Sequence, residues 1–414
     1  MLYLRWLETS RRYADRPAVY DGEETVTFGQ LAQRVEQLPR LTGTRIARTG
    51  GIGFFVDLLR AWRDGAPVIP TEKEAPEPIL KLAPPEGTCV VKYTPGASGV
   101  PRAIFLNDAQ IIADGDRLYQ AMGLSPEVPN LAVISLAHSY GFSNVVLPMV
   151  LHGVPVRLAP VPFPRVIEEI FSHHDSLVVP AVPSIWRAWH RAGILNGLPV
   201  ALAVSAGAPL ALALETEVFN ASGLKIHNFY GASECGGISY DATDVPRASG
   251  ELVGTLLPGV KVSVGEQGRL LVESDAVALG YDESRDDDLL ADGRYLTRDI
   301  GFLDVSGTLH LSGNTGGAIN VSGRKVSPAK VESALMATGL LDRVRVFGIQ
   351  SSDPERFEEI SALYHLKPGA TLANLKTATS HKLEIWELPR HWHDYPEMWN
   401  LPLAELRKFD FRKE

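Results

Sequence analysis

Cysteine is nearly absent from this sequence, whose 414 residues include only Cys89 and Cys235. Two cysteines exclude a disulfide framework and a cysteine-rich metal site. Long apolar runs are also missing, since residues 1–17 predict a short amphipathic helix with arginines rather than a signal peptide or a membrane span. A surplus of positive charge is missing too, and a formal net charge of -9 argues against nucleic acid or an anionic membrane as the main partner. We therefore expect a cytoplasmic protein that neither binds nucleic acid nor inserts into a membrane.

The composition is that of an ordinary globular protein, with 45% hydrophobic and 21% charged residues. A chain of this length normally forms more than one domain. Between residues 88 and 238, apolar strand-like runs alternate with helical stretches, and this alternation predicts an α/β fold with a largely parallel sheet. The predicted strands are 18–20, 66–69, 89–93, 131–136, 154–158, 177–179 and 200–204, and the predicted helices include 54–63 and 108–122.

The pattern changes after Arg247. Short runs punctuated by glycine and proline, such as "VGTLLPGVKVSVGEQGRLLVES" and "GFLDVSGTLHLSG", predict a small β-rich subdomain at about residues 248–313. The stretch "NTGGAINVSG" then opens a final segment with its own strand-helix alternation. We accordingly predict a large N-terminal domain of sheets flanked by helices at 1–313, a hinge at 314–317, and a small mobile α+β domain at 318–414.

The stretch "VVKYTPGASGVPRAI", residues 90–104, places small and polar residues between two strand-like runs. Such clusters are usually turns between strands. A loop of this kind can also bind phosphate, because glycine has no side chain to keep the backbone away from phosphate oxygens. The loop alone does not decide between these interpretations. A P-loop kinase is disfavoured, because no Gly-Lys-Ser/Thr sequence follows the glycines.

Three later stretches distinguish the two interpretations. They are "NFYGASE" (228–234), "RYLTRDIGFLDVSGTLHLSG" (294–313) and "GAINVSGRKVSPAKVESAL" (317–335), accompanied by "ADRPAVYDGEETVTFGQL" (14–31) and "VSAGAPL" (204–210). In this order and spacing the chain resembles the adenylate-forming superfamily of AMP-binding enzymes. That superfamily includes acyl- and aryl-CoA synthetases and the adenylation domains of peptide synthetases. The resemblance covers nearly the whole chain, although the part before the phosphate loop is shorter than is usual in the family.

The resemblance implies activation of a carboxylate by attack on the α-phosphate of ATP, with release of pyrophosphate. That transition state spreads negative charge over oxygens, so catalysis is mainly positioning and electrostatic neutralisation. By this resemblance Thr94 and Ser98, with the amides around Gly96 and Gly99, hold the β- and γ-phosphates. Arg102 stands in place of the family's usual lysine and keeps a positive charge that can bind phosphate through two N–H groups.

The later motifs supply the other nucleotide contacts that the resemblance implies. Tyr230 corresponds to the aromatic residue that stacks on adenine, and Glu234 to the carboxylate that binds Mg²⁺. A single carboxylate suffices because phosphate oxygens complete the coordination of Mg²⁺. Asp299 corresponds to the aspartate that accepts hydrogen bonds from both ribose hydroxyls. Further ATP- or AMP-binding candidates are Ala206, Gly207, Ala208, Asn228, Phe229, Gly231, Ala232, Ser233 and Asn314.

The chain departs from the family pattern just before its last domain. Relatives have Gly-Arg at this point, whereas Gly313 is followed here by Asn314, so the nucleotide contact of that arginine is weakened or lost. Gly316 stands where a polar hinge residue is usual, and Gly317 follows it. Glycine lowers the barrier to backbone rotation, so this pair suits the rotation between half-reactions that the resemblance implies.

A second departure lies near the end of the chain. The family carries a Pro-x-x-x-x-Gly-Lys motif whose lysine neutralises charge developing between the carboxylate and the α-phosphate. In "NLPLAELRKFDFRKE", Lys408 lies six residues after Pro402, as in that motif, but Arg407 occupies the glycine position. We assign the role to Lys408, with Arg407 and Lys413 as alternatives. Lys408, Glu234 and Thr94 are thus the predicted catalytic residues.

The acid is expected to bind near "LAHSYGFSN" (136–144) and "VSAGAPL". The family often has a histidine or an aromatic residue where His138 stands, although a histidine in such a stretch is as often structural. "HSYGFSN" resembles the aryl-acid branch and favours a small aromatic carboxylate as the substrate. The candidates for the pocket lining are His138, Tyr140, Phe142, Trp186 and Ser205.

We therefore predict an ATP-dependent ligase that forms an acyl- or aryl-adenylate and transfers the acyl group to a phosphopantetheine thiol. The thiol belongs to coenzyme A or to an acyl carrier protein, and the sequence fits either. One alternative is an adenylate-forming enzyme with an amine acceptor. Another is a degenerate member that binds nucleotide or a carrier protein without turnover. Asn314 and the altered loop favour this last alternative, whereas Glu234, Asp299 and Lys408 argue against it.

Overall fold

The computed structural model describes residues 1–40, 42–94, 101–265, 268–283, 289–314, 319–353, 357–401 and 406. Within these ranges the side chains of Asn314, Lys325, Ala329 and Asn400 are not described. The chain divides into two compact units, of which the first contains residues 1–94 and 102–313 and the second contains residues 314–414.

Helices of the first unit flank its sheets, and those at Phe28–Glu36 and Asp108–Ala121 begin at capping boxes. Asn107 caps the helix that starts at Asp108, because its side chain accepts from the Gln110 N–H at 3.0 Å while the Gln110 side chain accepts from the Asn107 N–H at 2.8 Å. A π-helical turn, Phe142–Val146, joins α5 to α6. The helices are α1 (Leu2–Arg12), α2 (Phe28–Glu36), α3 (Ile52–Arg63), α4 (Asp108–Ala121), α5 (Ser139–Gly141), α6 (Leu147–His152), α7 (Pro164–Phe171), α8 (Pro183–Arg191) and α9 (Leu212–Ser222).

The strands of the first unit form two sheets. In chain order they are β1 (Pro17–Asp21), β2 (Glu24–Thr27), β3 (Arg45–Arg48), β4 (Val68–Thr71), β5 (Thr88–Thr94), β6 (Arg102–Asn107), β7 (Asn130–Ala132), β8 (Val156–Leu158), β9 (Leu177–Ala181), β10 (Val200–Ser205), β11 (Ile226–Ala232), β12 (Gly236–Tyr240), β13 (Leu252–Leu256), β14 (Lys261–Val264), β15 (Arg269–Glu273), β16 (Gly280–Tyr281), β17 (Leu290–Ala291), β18 (Arg294–Leu303) and β19 (Thr308–Asn314).

The larger sheet changes from parallel to antiparallel at β11. Its order is β14-β15-β18-β19-β13-β12-β11-β10-β9-β7-β8-β1-β2, with β17 paired to β18. Strands β1, β8, β7, β9, β10 and β11 run parallel, and β12 then pairs antiparallel with β11. The predicted α/β fold with a large sheet and flanking helices is confirmed. The antiparallel part contains the strands of the β-rich subdomain, which the short runs interrupted by glycine and proline after Arg247 predicted.

The smaller sheet has the order β16-β6-β5-β4-β3 and corrects one prediction. The strand predicted at 89–93 is β5, but it lies not in the large sheet but in this smaller one, where it pairs parallel with β4 and antiparallel with β6, with Thr94 opposite Arg102. Only residues 95–101 separate the two strands. A connection this short permits a hairpin, whereas a parallel neighbour needs a crossover of a dozen or more residues.

Apolar side chains form two large cores in the first unit, besides a small cluster of Ile69, Val91, Ala103 and Phe105. The main core gathers residues of α1 to α4 with the π-helical turn, including Trp6, Phe28 and Phe142, which are fully buried. A second core packs α7 to α9 against β9 and β10 around Trp186 and Trp189. Burial of these large side chains supplies most of the driving force that fixes the strand ends described below.

The second unit contains a hairpin and a separate sheet in the order β22-β23-β24. Its helix α10 starts after Ser327, whose hydroxyl accepts from the Lys330 N–H at 3.3 Å. No helix in the described part of the chain is long and apolar enough to cross a membrane. The elements are β20 (Ile319–Val321), β21 (Arg324–Val326), α10 (Pro328–Met336), β22 (Leu341–Gln350), β23 (Glu358–Leu366), α11 (Leu372–Ser380), β24 (His391–His393) and a 3-10 turn (Pro396–Asn400).

Candidate active site

Tyr230 on β11 and Asp299 on β18 lie far apart in sequence and touch in the structure. The Tyr230 hydroxyl donates to Oδ2 of Asp299 at 2.7 Å, and the Asp299 N–H donates to Oγ1 of Thr297 at 3.1 Å. Burial and the neighbouring Asp299 carboxylate raise the pKa of Tyr230 well above its ordinary value, so its hydroxyl stays protonated and donates. Two residues predicted to contact the nucleotide therefore form one connected pair.

Glu234 and Arg102 are linked through Tyr281. The Tyr281 hydroxyl donates to Oε1 of Glu234 at 3.0 Å. The guanidinium carbon of Arg102 lies 3.8 Å from the centroid of the Tyr281 ring, and Arg102 Nη1 donates to the Glu283 carbonyl at 3.2 Å. The sequence did not single out Tyr281. The Glu234 carboxylate, a candidate for binding metal, and the Arg102 guanidinium, a candidate for binding phosphate, therefore both contact Tyr281.

The two ends of the candidate phosphate loop are fixed by the β5-β6 hairpin. Thr94 is the last residue of β5 and is buried, and its hydroxyl donates to the Arg102 carbonyl at 3.4 Å. Gly96, Ser98 and Gly99 lie outside the described residues. The hairpin thus brings Thr94 and Arg102 together.

The turn between β11 and β12 requires glycine. A Cβ on Gly231 would lie 2.7 Å from the Gly236 carbonyl oxygen, and Gly236, with φ +70°, would carry a Cβ that overlaps the Asp114 carboxylate. Ala232 lies opposite Gly236 in the ladder. The close approach of the two strands holds Glu234 in the tight turn between them.

Other nucleotide candidates lie at the carboxyl ends of β10 and β11. Gly207 follows β10 with φ +81°, a backbone conformation that favours glycine, and Ala206 beside it is buried. Asn228 donates to the Val253 carbonyl at 3.4 Å, and the Phe229 ring centroid lies 6.1 Å from that of Tyr140. Ala208, the remaining candidate of this stretch, is half-buried.

The candidate acid stretch is joined to the nucleotide motif by one hydrogen bond. Ser139 Oγ donates to Ser233 Oγ at 2.8 Å, which ties the start of α5 to the β11-β12 turn. The strand predicted at 131–136 ends at Ala132, because the chain bends back and the Ser135 carbonyl fills the space of a Cβ on Gly141. This bend brings residues 138–142 toward the residues that are predicted to bind the nucleotide.

The acid-pocket candidates occupy different environments. His138 is exposed, with 73% of its side chain accessible to solvent. Its Nε2 lies 3.7 Å from Oε1 of Glu72. The Tyr140 hydroxyl donates to the Val204 carbonyl at 2.9 Å, and burial raises the pKa of Tyr140. Trp186 is fully buried in the second core and donates to the same carbonyl at 3.3 Å. Ser205 Oγ is buried and has no hydrogen-bond partner among the described residues.

The donor set permits a magnesium ion bound with the nucleotide but not a protein-only metal centre. Among the described residues there is no group of three or more His, Cys, Asp or Glu side chains that could hold a metal ion. Mg²⁺ bound with ATP needs one or two carboxylates and takes its other ligands from phosphate and water. Glu234 fits this requirement.

Lys92 is a charged residue of this region that the sequence reasoning missed. It lies on β5 two residues before Thr94, is only 5% exposed, and its Nζ is 4.6 Å from the centroid of the Phe142 ring. Burial lowers the pKa of Lys92 from 10.5 to about 8, and the charge of Asp114 opposes this shift. A lysine inside the apolar run "TCVVKYT" was the available signal.

Lys92→Met is expected to stabilise the protein at neutral pH. Between pH 8 and pH 10.5 the unfolded state binds more protons at this position, so the contribution of Lys92 to the free energy of unfolding rises with pH. A shift of this size corresponds to at most about 3 kcal/mol, which the variant gains at pH 7. Urea titrations of both proteins at pH 7 and pH 10.5 measure the difference, which should shrink at the higher pH. An equal difference in the free energy of unfolding at pH 7 and pH 10.5 would contradict the lowered pKa of Lys92.

Several predicted residues lie outside the described part of the structure. They are Gly316 and Gly317, Pro402, Arg407, Lys408 and Lys413, and for Asn314 only the backbone is described.

Comparison with known proteins identifies a family over the central part of the chain. The model of the AMP-binding enzyme family matches residues 57–282. A Rhodococcus jostii ligase, named for joining a methyl-dioxo-octahydroindenyl propanoyl group to CoA, is 27% identical in an alignment 351 residues long that covers 80% of this chain and 66% of that protein. A long-chain-fatty-acid–CoA ligase of Mycobacterium bovis is 26% identical over 440 residues, covering 89% of this chain and 72% of that protein. The chain thus spans about two thirds of the length of these relatives.

The fold is also found in solved structures. The structure of a double mutant of o-succinylbenzoate CoA synthetase from Bacillus subtilis superimposes with a TM-score of 0.76 at 16% identity, and it covers 94% of this chain and 95% of that one. At this identity the similarity establishes the fold.

Proposed function

Because this chain belongs to the AMP-binding enzyme family, we propose that it is an ATP-dependent carboxylic acid ligase that acts through an acyl-adenylate. The observation that carries the proposal is the connection of Arg102, Tyr281 and Glu234, which places a cation and a carboxylate on one aromatic side chain. A phosphate-binding arginine and a magnesium-binding carboxylate must lie close together around a triphosphate. The Tyr230–Asp299 pair adds a hydrogen-bond acceptor for the ribose.

In the first half-reaction a carboxylate oxygen of the acid attacks the α-phosphorus of ATP, the bond to the bridging oxygen breaks, and pyrophosphate leaves. Asp299 accepts from the ribose hydroxyls, and Tyr230 orients it by donating to one of its oxygens. Arg102 and Thr94 contact the leaving phosphates, and Glu234 would bind Mg²⁺, which neutralises their charge. Lys408 would neutralise the charge that develops at the α-phosphate.

In the second half-reaction a thiol sulfur attacks the acyl carbonyl carbon, the bond to the AMP oxygen breaks, and a thioester forms. We propose coenzyme A as the acceptor, because the relatives are named as CoA ligases. A carrier-protein thiol and an amine are the alternatives. We retain a small aromatic carboxylate as the acid, on the resemblance of "HSYGFSN" to the aryl-acid branch. A cytoplasmic location belongs to the same proposal.

The test is acid-dependent exchange of labelled pyrophosphate into ATP across a panel of carboxylic acids. Exchange with one class of acid supports the ligase and identifies its substrate, and thioester, carrier-loading and amide assays then identify the acceptor. ATP binding without exchange for any acid would favour the degenerate nucleotide-binding alternative.

Gly316→Pro is expected to separate the two half-reactions. Proline fixes φ at about −65° and removes a donor, so it should hold the last domain in one orientation. Adenylation should persist while thioester formation falls, because transfer needs the rotated state that presents the segment near Gly323 to the pantetheine. Pyrophosphate exchange and thioester formation are measured on the same variant, with Gly316→Ala as the matched control. Equal losses in both assays would show a plain linker instead of a hinge.

A further inference from the structure

The ammonium group of Lys92 lies where three stretches with predicted site residues meet. Lys92 and Thr94 lie on the same face of β5, because side chains two residues apart in a strand point to one side. The Phe142 ring below the ammonium follows Tyr140 by two residues. Asp114, whose charge acts on Lys92, accepts from the N–H of Gly237, three residues after Glu234, at 2.9 Å.

Asp114 does not provide Lys92 with an ion pair. Its Oδ2 accepts from Ser143 Oγ at 2.6 Å and its Oδ1 accepts from the Gly237 N–H. Among the described residues no carboxylate lies within 4.0 Å of Lys92 Nζ, and none accepts a hydrogen bond from it. The Phe142 ring is its one close partner there.

A lysine whose side chain is almost fully buried and has no carboxylate partner among the described residues destabilises the folded chain. A buried ammonium group needs a charged partner or a hydrogen-bond acceptor to replace its interactions with water. Contact with an aromatic face replaces only part of that interaction energy. Apolar residues of similar volume would be more stable at this position. Destabilising features of this kind concentrate at functional sites, where a ligand completes the interaction.

We propose that Lys92 lies at the inner end of the acid site and donates to an oxygen of the substrate distant from its reacting carboxylate. This inference rests on the proposed function and narrows its substrate class. The acid is a small aromatic carboxylate that carries a second acceptor, such as a second carboxylate or a ring hydroxyl, on the side of the ring away from the reacting group. The reacting carboxylate must lie near the phosphates, beyond Thr94, so the tail of the acid extends back along β5 toward Lys92 and the Phe142 ring.

The same geometry disfavours long alkyl acids. An alkyl chain placed against Lys92 would offer the ammonium group no acceptor. The fully buried Phe142 ring, with the Trp62 ring centroid 6.4 Å from it, closes the region behind the ammonium. The site is thus built to reject an acid that lacks the second acceptor, because the lysine would then stay buried and unpaired.

The test compares matched pairs of acids in the pyrophosphate exchange assay on the full chain. Suitable pairs are 4-hydroxybenzoate with benzoate, and 4-carboxybenzoate with 4-methylbenzoate. The wild type should prefer the member with the second acceptor by about 10- to 100-fold in kcat/KM, the scale of one hydrogen bond to a charged group. Lys92→Met should lose this preference, Lys92→Arg should keep part of it, and Lys261→Met on the exposed strand β14 should keep all of it.

Each outcome decides the inference. Preference of the wild type for the plain acid in every pair would overturn it without any variant, so a variant that fails to fold does not protect it. An unchanged ranking in Lys92→Met would overturn it as well, and a lower unfolding temperature in that variant would then identify a structural lysine. No exchange with any acid would end the proposed function, and this inference with it.

Discussion

Glu234→Gln is expected to lower the rate of adenylate formation by about 10²- to 10³-fold, the scale observed when one positioned electrostatic contact to a transition state is removed. Glutamine keeps the size of the side chain and an oxygen that can accept from Tyr281, but it removes the negative charge that would bind Mg²⁺. The loss should be steepest at low magnesium. Pyrophosphate exchange measured over a range of magnesium concentrations with fixed ATP and acid checks this expectation.

Tyr281→Phe is the matched control for this prediction. It removes only the hydroxyl that donates to Glu234, and the ring beneath Arg102 stays. A hydrogen bond to a charged group is worth about 1.5–3 kcal/mol, so the rate should fall by about 10- to 100-fold with little change in magnesium dependence. The order of preference among acids should be the same in both variants and the wild type. A changed order in Glu234→Gln, with unaltered dependence on magnesium and ATP, would place Glu234 in the acid site instead.

The sequence predicted the fold where local patterns decide it. Alternating strand-like and helical stretches indicated the parallel strands β7 to β10, because each strand there is followed by a helix that returns the chain. The pattern was wrong about the strand at 89–93, which pairs with β6 in a second sheet. An apolar run looks the same in either sheet, and the length of the connection at 95–101 was the feature that distinguishes them.

The candidate site was predictable to the extent that its residues lie in continuous motifs. Tyr230 and Asp299 were both identified, and their hydrogen bond brings the two motifs together. Tyr281 was missed because its role depends on contacts with residues far from it in sequence, and no local pattern records such contacts. Lys92 was visible as a charge in an apolar run, yet only the structure shows that the Phe142 ring is its one close partner among the described residues.

Asp114 connects the acid stretch to the nucleotide motif by a route that sequence alone could not indicate. Its two oxygens hold Ser143 in the π-helical turn and the N–H of Gly237 on β12. The π-helical turn widens the backbone at Phe142–Val146, and such turns often occur at functional sites. A change in the acid stretch should therefore be transmitted to the β11-β12 turn that carries Glu234.

Lys408→Ala is expected to reduce adenylate formation by about 10²- to 10³-fold while leaving the second half-reaction largely intact. The lysine is assigned to neutralise charge that develops only when the carboxylate attacks the α-phosphate. Transfer of the acyl group from AMP to a thiol develops charge on different atoms and does not need it. Pyrophosphate exchange reports the first step, and thioester formation from chemically supplied acyl-adenylate reports the second.

Arg407→Ala and Lys413→Ala are the matched controls, because they remove a neighbouring positive charge from the same segment. Normal exchange in Lys408→Ala, together with a loss in either control, would transfer the role to that control residue. A similar loss in both assays would show that the segment is needed for folding or for binding of the nucleotide, and the assignment to the adenylation step would then be wrong.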